Sequence, residues 1–273
     1  MRAAVVGHVE WIEFAAVDAM PNAGDIVHAS EVWEEPGGGG AVAAVQLAKL
    51  AGGATFFTAL GDDELGHRAK RELEELGLTV HATFRPEPQR RGFVHVDARG
   101  ERTITVIGDR LGPRAADPLP WDQLRDTDAV YLTAGDPEAV RLARAAGVLV
   151  STPRGLEAIA ASGVELDALV ASRADRGERY ETGQLDPPPR AVVRTAGAAG
   201  GEWETATETG TWKAAPLGGP VRDAYGCGDS FAAGLTYGLG AGLGIQAAVE
   251  LGARCGAACL TGKGPFSGQL TAA

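Results

Sequence analysis

The sequence lacks the features that mark metal-binding and nucleic-acid-binding proteins. It contains only three cysteines, and none forms a CxxC pair or a Cys/His group with metal-ligand spacing. Basic residues are outnumbered, 25 against 36 acidic residues, and the formal net charge is −11. Surfaces that bind nucleic acid or anionic membranes need clustered Lys and Arg. We therefore expect neither partner, and we expect any anionic ligand to be held by local groups.

Long apolar runs are also missing. No stretch approaches the roughly 18 consecutive apolar residues of a membrane helix. The first seven residues form a short apolar run that acidic residues soon follow, which is unlike a signal peptide. From these absences we expect a cytoplasmic protein.

Several catalytic motifs are absent as well. The chain has no GxxxxGK[ST] motif, which excludes a P-loop enzyme. It has no GxSxG motif, and its five histidines are not grouped as in a metal site or a catalytic triad. We therefore interpret the histidines as structural or surface residues.

What the sequence does contain is an alternation of short apolar runs with alanine-rich helical segments. This pattern predicts an α/β fold of three αβα layers, with a mainly parallel, doubly wound sheet. The predicted strands are Ala3–Val6, Thr55–Leu60, Ala129–Thr133, Val148–Ser151, Ala168–Ala171 and Ala191–Thr195. The predicted helices are Ala41–Leu50, Glu64–Leu76, Pro137–Ala146, Ser230–Leu239 and Ile245–Leu260.

Two regions interrupt this alternation. Residues 11–33 alternate apolar and polar side chains around a Pro-Asn-Ala-Gly turn, and Phe93–Val96 with Thr103–Ile107 flank a hairpin turn. We interpret both regions, about 10–35 and 90–108, as a small β-sheet beside the main part of a single domain that spans residues 1–273. An exposed sheet has to cover a site or pair with another chain. We therefore expect a lid, which is also a candidate homodimer contact.

The strongest local motif is Asp-Ala-Tyr-Gly-Cys-Gly-Asp-Ser-Phe at residues 223–231, directly before a predicted helix. Backbone N–H groups at a helix N-terminus converge on negative charge, which predicts an anion site at Gly226, Cys227 and Gly228. Asp229 is next to that site and can accept a proton from an attacking hydroxyl. The alternative is that Asp229 or Ser230 is only a helix N-cap.

A second glycine-rich loop comprises Gly37, Gly38, Gly39 and Gly40 before another predicted helix. Consecutive glycines are entropically costly, so the loop predicts close approach by a ligand or another segment, with a flexible hinge as the alternative. Gly38-x-Gly40-x-x-Ala43 also fits a relaxed dinucleotide fingerprint, which keeps a NAD-dependent oxidoreductase as an alternative. The loop does not follow the first strand, as that fingerprint requires.

A third loop, residues 195–201, follows a predicted strand. Its threonine hydroxyl and glycine N–H groups suit nucleotide phosphates, and the candidates are Thr195, Gly197 and Gly200.

Together these motifs resemble the ribokinase/PfkB family of carbohydrate kinases. The first family signature resembles Gly37–Gly40 with Thr58–Gly66, and the second, D-T-x-G-A-G-D-[ST]-F, resembles residues 223–231. The resemblance extends over essentially the whole chain. It implies a ribokinase-like fold with a β-lid and an enzyme that transfers the γ-phosphoryl group of ATP to a hydroxyl of a sugar or sugar-like substrate.

The resemblance also implies residue roles. Asp229 would be the general base, and Gly226, Cys227 and Gly228 would form the anion hole. ATP would lie beside Thr195, Gly197, Gly200 and Ser172. The acceptor would contact Glu10, Gly38, Gly39, Gly40 and Asp229. The family's N-x-x-E motif corresponds to Ser172–Asp175, which makes Asp175 a Mg²⁺ candidate, and Asp223 begins a loop for a monovalent cation such as K⁺.

Some positions depart from the family pattern. Gly39 and Val42 stand where G-G-K-G-A-N has lysine and asparagine, and Glu10 and Ile12 stand where the first strand often has Asn and Asp. Because Val42 and Ile12 are apolar, a nucleoside is an alternative acceptor. A non-catalytic, kinase-like binding or regulatory protein is an alternative of another class. We interpret Arg99 and Arg102 as solvated charges of the hairpin.

Overall fold

The fold is described for residues 1–272 in a computed structural model. The strands are β1 Ala3–Val6, β2 Glu10–Ala16, β3 Glu31–Gly37, β4 Ala54–Gly61, β5 Leu78–Arg85, β6 Arg91–Val96, β7 Arg102–Ile107, β8 Ala129–Leu132, β9 Val148–Ser151, β10 Ala168–Ser172, β11 Ala191–Thr195, β12 Gly201–Thr205 and β13 Thr209–Trp212. The α-helices are α1 Gly39–Ala51, α2 Glu64–Glu75, α3 Pro137–Ala143, α4 Leu156–Ser162, α5 Cys227–Gly240 and α6 Ile245–Cys259.

The large sheet has nine strands in the order β13-β12-β11-β10-β9-β8-β1-β4-β5. The strands from β11 to β5 are parallel, and β12 and β13 extend one edge in antiparallel pairs. In the register, Val5 of β1 lies opposite Phe56 of β4 and Tyr131 of β8. The carboxyl ends of the parallel strands share one edge, so the loops that follow them can form one cleft.

Helices cover both faces of this sheet. Val5 belongs to a buried cluster with Val45 of α1 and Ala233 of α5, and Val6 belongs to another with Val140 of α3. This division follows from the strand pleat, which directs successive side chains to opposite faces. The three-layer α/β fold is thus confirmed. Within residues 1–272, no helix combines the length and the apolar character needed to cross a bilayer.

A separate sheet has four strands in the order β3-β2-β6-β7. Its inner strand β2 buries Trp11, Ile12 and Phe14, whereas every residue of the outer strand β7 is exposed. Phe14 stacks on Trp33 of β3 with ring centroids 4.8 Å apart. The sheet is held at the cleft by its connections, because β2 follows β1 after three residues and β3 leads into α1.

Four elements were not predicted from the sequence, namely β5, α4, β12 and β13. Strands β12 and β13 mix Trp203 and Trp212 with polar residues, so they lack the continuous apolar run of the buried parallel strands. Helix α5 begins at Cys227, three residues earlier than predicted. This difference places residues 227–229 inside the first helical turn.

Candidate active site

The N-terminus of α5 presents unused backbone donors. Its N-cap is Gly226, with φ +78°, and the N–H of Ser230 donates to the Gly226 carbonyl at 2.9 Å. Within residues 1–272, the N–H groups of Cys227, Gly228 and Asp229 have no acceptor. A Cβ on Gly228 would meet no atom within 4 Å, so the turn borders open space. These three donors at the positive end of a helix form a site suited to a phosphate oxygen.

Asp229 is in the same helical turn and faces the glycine loop. A Cβ on Gly39 would lie 2.6 Å from Asp229 Oδ1, so the carboxylate contacts the loop only because residue 39 has no side chain. No hydrogen bond or ion pair engages this carboxylate among the residues that the structure describes. Asp229 is therefore not the side-chain N-cap of α5, and its oxygens are available to a ligand.

The surroundings of Asp229 make it a stronger base. Burial raises the pKa of Asp229 to about 7, and the negative charge of Glu178 contributes in the same direction. The positive charges of Arg102 and Arg154 oppose this rise in pKa. A carboxyl that titrates near neutrality suits proton transfer from an alcohol at physiological pH. Arg102 is exposed, as expected, but its charge acts on the cleft.

The four-glycine loop packs against the connection between β1 and β2. A Cβ on Gly40 would lie 2.5 Å from the carbonyl oxygen of His8, and a Cβ on Gly38, where φ is +83°, would lie 3.0 Å from Glu10. Gly38 and Gly40 are buried, and only Gly39 of the three predicted acceptor contacts has accessible surface. Gly38 and Gly40 therefore serve packing, and Gly39 is left to face a ligand. The loop follows β3 rather than β1. It therefore lacks the position after the first strand that a dinucleotide-binding fingerprint requires.

A chain of polar contacts continues from this loop. Glu10 is buried, and its Oε1 lies 2.7 Å from Arg90 Nε and 3.8 Å from His8 Nε2. His8 Nδ1 lies 3.3 Å from Thr133 Oγ1. Burial lowers the pKa of His8 well below its usual value, so the ring is neutral. Glu10 thus holds Arg90 beside the glycine loop, and its carboxylate is already paired.

The loops after β10 and β11 contain the residues predicted to bind the nucleotide. The N–H of Gly197 has no acceptor among the described residues, and a Cβ there would meet nothing within 4 Å. The Gly200 N–H donates to the Gly197 carbonyl, and its φ of +86° forms the turn into β12. The Ser172 hydroxyl accepts from two backbone N–H groups of the next turn. Gly197 therefore has a free donor, whereas Gly200 shapes the turn.

Two carboxylates follow β10 and share one arginine. Arg154 contacts the Asp175 carboxylate, and its Nε lies 2.8 Å from Glu178 Oε1. Asp175 Oδ1 also accepts from the N–H of Gly177 at 2.8 Å. Glu178 Oε2 has no protein partner within residues 1–272. The structure thus favours Glu178 over the predicted Asp175 as a carboxylate free to approach a metal ion. The described residues contain no cluster of three or more His, Cys, Asp or Glu side chains suited to a metal.

Asp223 has a structural role in the loop before α5. Its Oδ1 accepts from the N–H of Tyr225 at 2.8 Å, and its Oδ2 accepts from the N–H of Gly264 at 3.2 Å. Burial raises the pKa of Asp223. Both carboxylate oxygens accept backbone bonds that fix the loop, and the binding of a monovalent cation by this side chain stays a prediction.

Several residues of the cleft were not identified from the sequence, namely His8, Arg110, Arg154 and Glu178. Arg154 follows β9 and Glu178 follows β10, so a rule that inspects charged residues after each parallel strand would have found both. Ile12 and Val42 are fully buried. They therefore offer no apolar surface to a nucleobase.

Comparison with protein families gives one match over nearly the whole chain. The model described as pfkB family carbohydrate kinase matches residues 2–147 and 157–272. A relative from Halopiger xanaduensis, named ATP-dependent ribose-1-phosphate kinase, is 30% identical over 257 residues, covering 86% of this chain and 83% of the relative.

Solved structures show the same fold. Ribokinase from Thermotoga maritima superimposes with a TM-score of 0.78 at 22% identity, covering 99% of this chain and 96% of the other. Arabidopsis thaliana ribokinase complexed with ribose and ATP gives a TM-score of 0.75 at 19% identity, covering 99% and 96%. These likenesses confirm the ribokinase-like architecture predicted from the sequence.

Proposed function

Because the chain belongs to the pfkB family of carbohydrate kinases, and is thus a phosphotransferase with an alcohol as acceptor, we propose that it transfers the γ-phosphoryl group of ATP to a hydroxyl of a sugar, with Asp229 as the general base. The observation that carries the proposal is the position of the Asp229 carboxylate. It has no protein partner, faces Gly39 and lies in the same helical turn as three free N–H groups.

In this mechanism the acceptor hydroxyl lies against Gly39 and donates its proton to Asp229. The hydroxyl oxygen attacks the γ-phosphorus in line with the departing ADP oxygen. The N–H groups of Cys227, Gly228 and Asp229 stabilise negative charge on the transferred phosphoryl oxygens. The chain therefore supplies positioning, a base and fixed dipoles.

The nucleotide would lie along the loops after β10 and β11. Gly197 offers a free N–H and an open surface there, and Thr195 ends β11 beside it. Support for ATP as donor comes from the name of the Halopiger relative and from the ATP complex of the Arabidopsis ribokinase.

Mg²⁺ fits the carboxylates beside this loop. Mg²⁺ is usually held by one or two protein carboxylates, several waters and substrate phosphates. Glu178, with one unengaged oxygen, would hold the ion, and Asp175 would support it through Arg154. When bound, the ion neutralises charge on the phosphates.

The four-stranded sheet would close over the acceptor. Its β2 begins at Glu10 and its β7 begins at Arg102, whose charge acts on Asp229. A lid of this kind excludes water from the reacting groups. The first acceptors to compare are ribose and ribose 1-phosphate, given the names of the relatives.

The general-base role is tested with Asp229→Asn. The amide cannot take the proton, so we expect kcat to fall by about 10²–10⁴-fold while ATP affinity changes little. Product formation is followed by ADP release, and ATP affinity by calorimetry. Near-normal turnover in this variant would disprove the mechanism. A wild-type chain that binds such ligands but releases no ADP with any sugar, sugar phosphate or nucleoside would instead indicate a non-catalytic protein.

A further inference from the structure

Arg110 is a half-buried cation without an acidic partner. Within residues 1–272 it forms no ion pair, and its only hydrogen bond is a long one of 3.4 Å from Nη1 to the carbonyl oxygen of Arg154. Burying a charge is costly unless an opposite charge or several hydrogen bonds compensate. The neighbouring arginines add repulsion: burial and the charges of Arg90 and Arg154 lower the pKa of Arg110, and the negative charge of Glu10 opposes this effect only in part. A bound anion would compensate both the cost of burying the Arg110 charge and the repulsion from the neighbouring arginines.

Arg110 lines a cleft large enough for such an anion. The cleft has a volume of about 420 Å³, and Thr133 and Arg154 are also part of its wall. Acidic residues at positions 87, 109, 136 and 157 line it too, but none of them pairs with Arg110 among the described residues. Arg85, another lining residue, is neutralised by Asp117 at 2.7 Å. Within residues 1–272, Arg110 and Arg114 of the cleft have no ion pair, and only Arg110 is half-buried, whereas Arg114 is exposed to solvent.

A chain of side-chain contacts links the cleft to the proposed acceptor site. Thr133 contacts His8, and His8 lies beside Glu10, which holds Arg90. The positive charges of Arg110, Arg90 and Arg154 all act on the His8 ring. Arg110 and Arg154 line the cleft, and Arg90 is linked to it through Glu10, His8 and Thr133. A Cβ on Gly39 would lie 2.6 Å from Asp229 Oδ1 and 3.8 Å from the His8 ring, so the glycine loop lies between this cluster and Asp229.

We propose that Arg90, Arg110 and Arg154 bind a phosphate monoester carried by the acceptor, so that the substrate is a sugar phosphate rather than a free sugar. This inference rests on the proposed kinase function, because it names the acceptor class of the same site. Guanidinium groups suit phosphate since their planar N–H donors form paired, charge-assisted hydrogen bonds. Arg110 supplies the uncompensated charge, and Arg90 and Arg154 supply donors that Glu10 and Glu178 keep in place.

The position of Arg110 argues against its use for the phosphates of ATP, whereas Arg154 also contacts Asp175 and Glu178 after β10. The proposed nucleotide loops follow β10 and β11, whereas the cleft lies at the ends of β5 and β8 and beside the loop after β9. The order of the sheet puts β8, β1 and β4 between β9 and β5, away from the edge that holds β11. A phosphate bound there would lie on the acceptor side of Asp229.

The test compares ribose with ribose 1-phosphate, which differ by the phosphate alone. Binding is measured by calorimetry to Asp229→Asn, which prevents turnover, and to the same chain with Arg110→Met added. We expect the parent to prefer ribose 1-phosphate, and the Met variant to bind it about 10–100-fold more weakly with unchanged affinity for ribose, as for the loss of a charge-assisted bond. Arg110→Lys keeps the charge and is expected to recover part of the affinity.

The control is Arg114→Met, an exposed arginine at the same cleft. An equal loss of affinity for ribose 1-phosphate in this control would show that the preference comes from the overall electrostatic potential of the surface. That result would overturn the inference. Equal affinity of the parent for ribose and ribose 1-phosphate would overturn it too, as would an effect of Arg110→Met on ATP affinity alone. Phosphate-dependent binding with no turnover by the wild type would keep the subsite and reject the kinase function.

Discussion

The backbone N–H of Gly38 donates a 2.9 Å hydrogen bond to the hydroxyl of Tyr225. This bond joins the four-glycine loop to the loop before α5, two segments far apart in the sequence. Both groups are buried, and the Tyr225 ring packs edge-on against Phe14 of β2 at 5.3 Å between centroids. One side chain therefore aligns the acceptor loop, the anion hole and the small sheet.

Loss of this hydroxyl should weaken the whole molecule. In Tyr225→Phe the buried N–H of Gly38 has no acceptor, and such a loss costs about 1–3 kcal/mol of the free energy of unfolding. Urea denaturation measures it. The control is Tyr237→Phe, because the Tyr237 hydroxyl has no hydrogen bond within residues 1–272. Equal stability of the two variants would show that the bond does not hold the loops together.

A methyl group at residue 39 should displace the base. In Gly39→Ala the new Cβ would lie 2.6 Å from Asp229 Oδ1, so the carboxylate has to move. A displacement of about 1 Å at a reacting group lowers kcat by about 10²-fold. Steady-state kinetics measures this loss, and circular dichroism checks that the fold is kept. Gly244→Ala is the control, since a Cβ there meets nothing within 4 Å. Unchanged kcat in Gly39→Ala would separate the glycine loop from the chemistry.

The dependence of activity on pH should follow Asp229. Its pKa is raised to about 7, and a base acts only when deprotonated, so kcat/KM of the free enzyme should rise with pH and reach half its maximum near 7. Glu178 helps to raise this pKa, so Glu178→Gln should lower the pH at which kcat/KM is half-maximal. This shift is expected even where the substitution also changes the maximal kcat/KM. Glu181→Gln, at an exposed neighbouring position, is the control. A midpoint that moves upward or not at all in Glu178→Gln would contradict the assignment.

Glu35 should make stability depend on pH. Burial raises the pKa of Glu35 from 4.5 to about 7, although its Oε1 accepts a hydrogen bond from Trp33 Nε1. Between these pH values the folded chain holds a proton that the unfolded chain has released, so stability falls as pH rises. The stability from this group is fully present below 4.5 and lost above 7.

Glu35→Gln removes the loss of stability that deprotonation of Glu35 causes at high pH. The glutamine can still accept a hydrogen bond from Trp33 Nε1. We expect the variant to gain about 1–3 kcal/mol over the wild type at pH 8 and little at pH 4.5. Urea denaturation at the two pH values measures the difference. Glu75→Gln, an exposed position, should show no such change. A gain for Glu35→Gln that is equal at both pH values would rule out titration of Glu35 as its cause.

Local patterns were sufficient for much of the fold and for the reactive loop. Ala3–Val6, Val148–Ser151 and Ala191–Thr195 were predicted with the bounds that the structure has. The glycines and carboxylate of residues 226–229 were recognised because a phosphate site needs bare N–H groups at a helix start. Strands β12 and β13 were missed because they carry neither a continuous apolar run nor a clean alternation. Strand β5 alternates apolar and polar residues from Leu78 to Arg85, so a period of two would have revealed it.

The sequence by itself determined the α/β class, the glycine loops and Asp229, because each depends on neighbours within a few residues. Only the tertiary structure decided which side chains meet at the cleft. It paired Glu10 with Arg90 and engaged both oxygens of Asp223. It also buried Ile12 and Val42, and it placed Arg110, which has no acidic partner, beside Arg154. The reason is that side-chain pairing, burial and electrostatic fields arise between residues distant in the chain, where spacing carries no information.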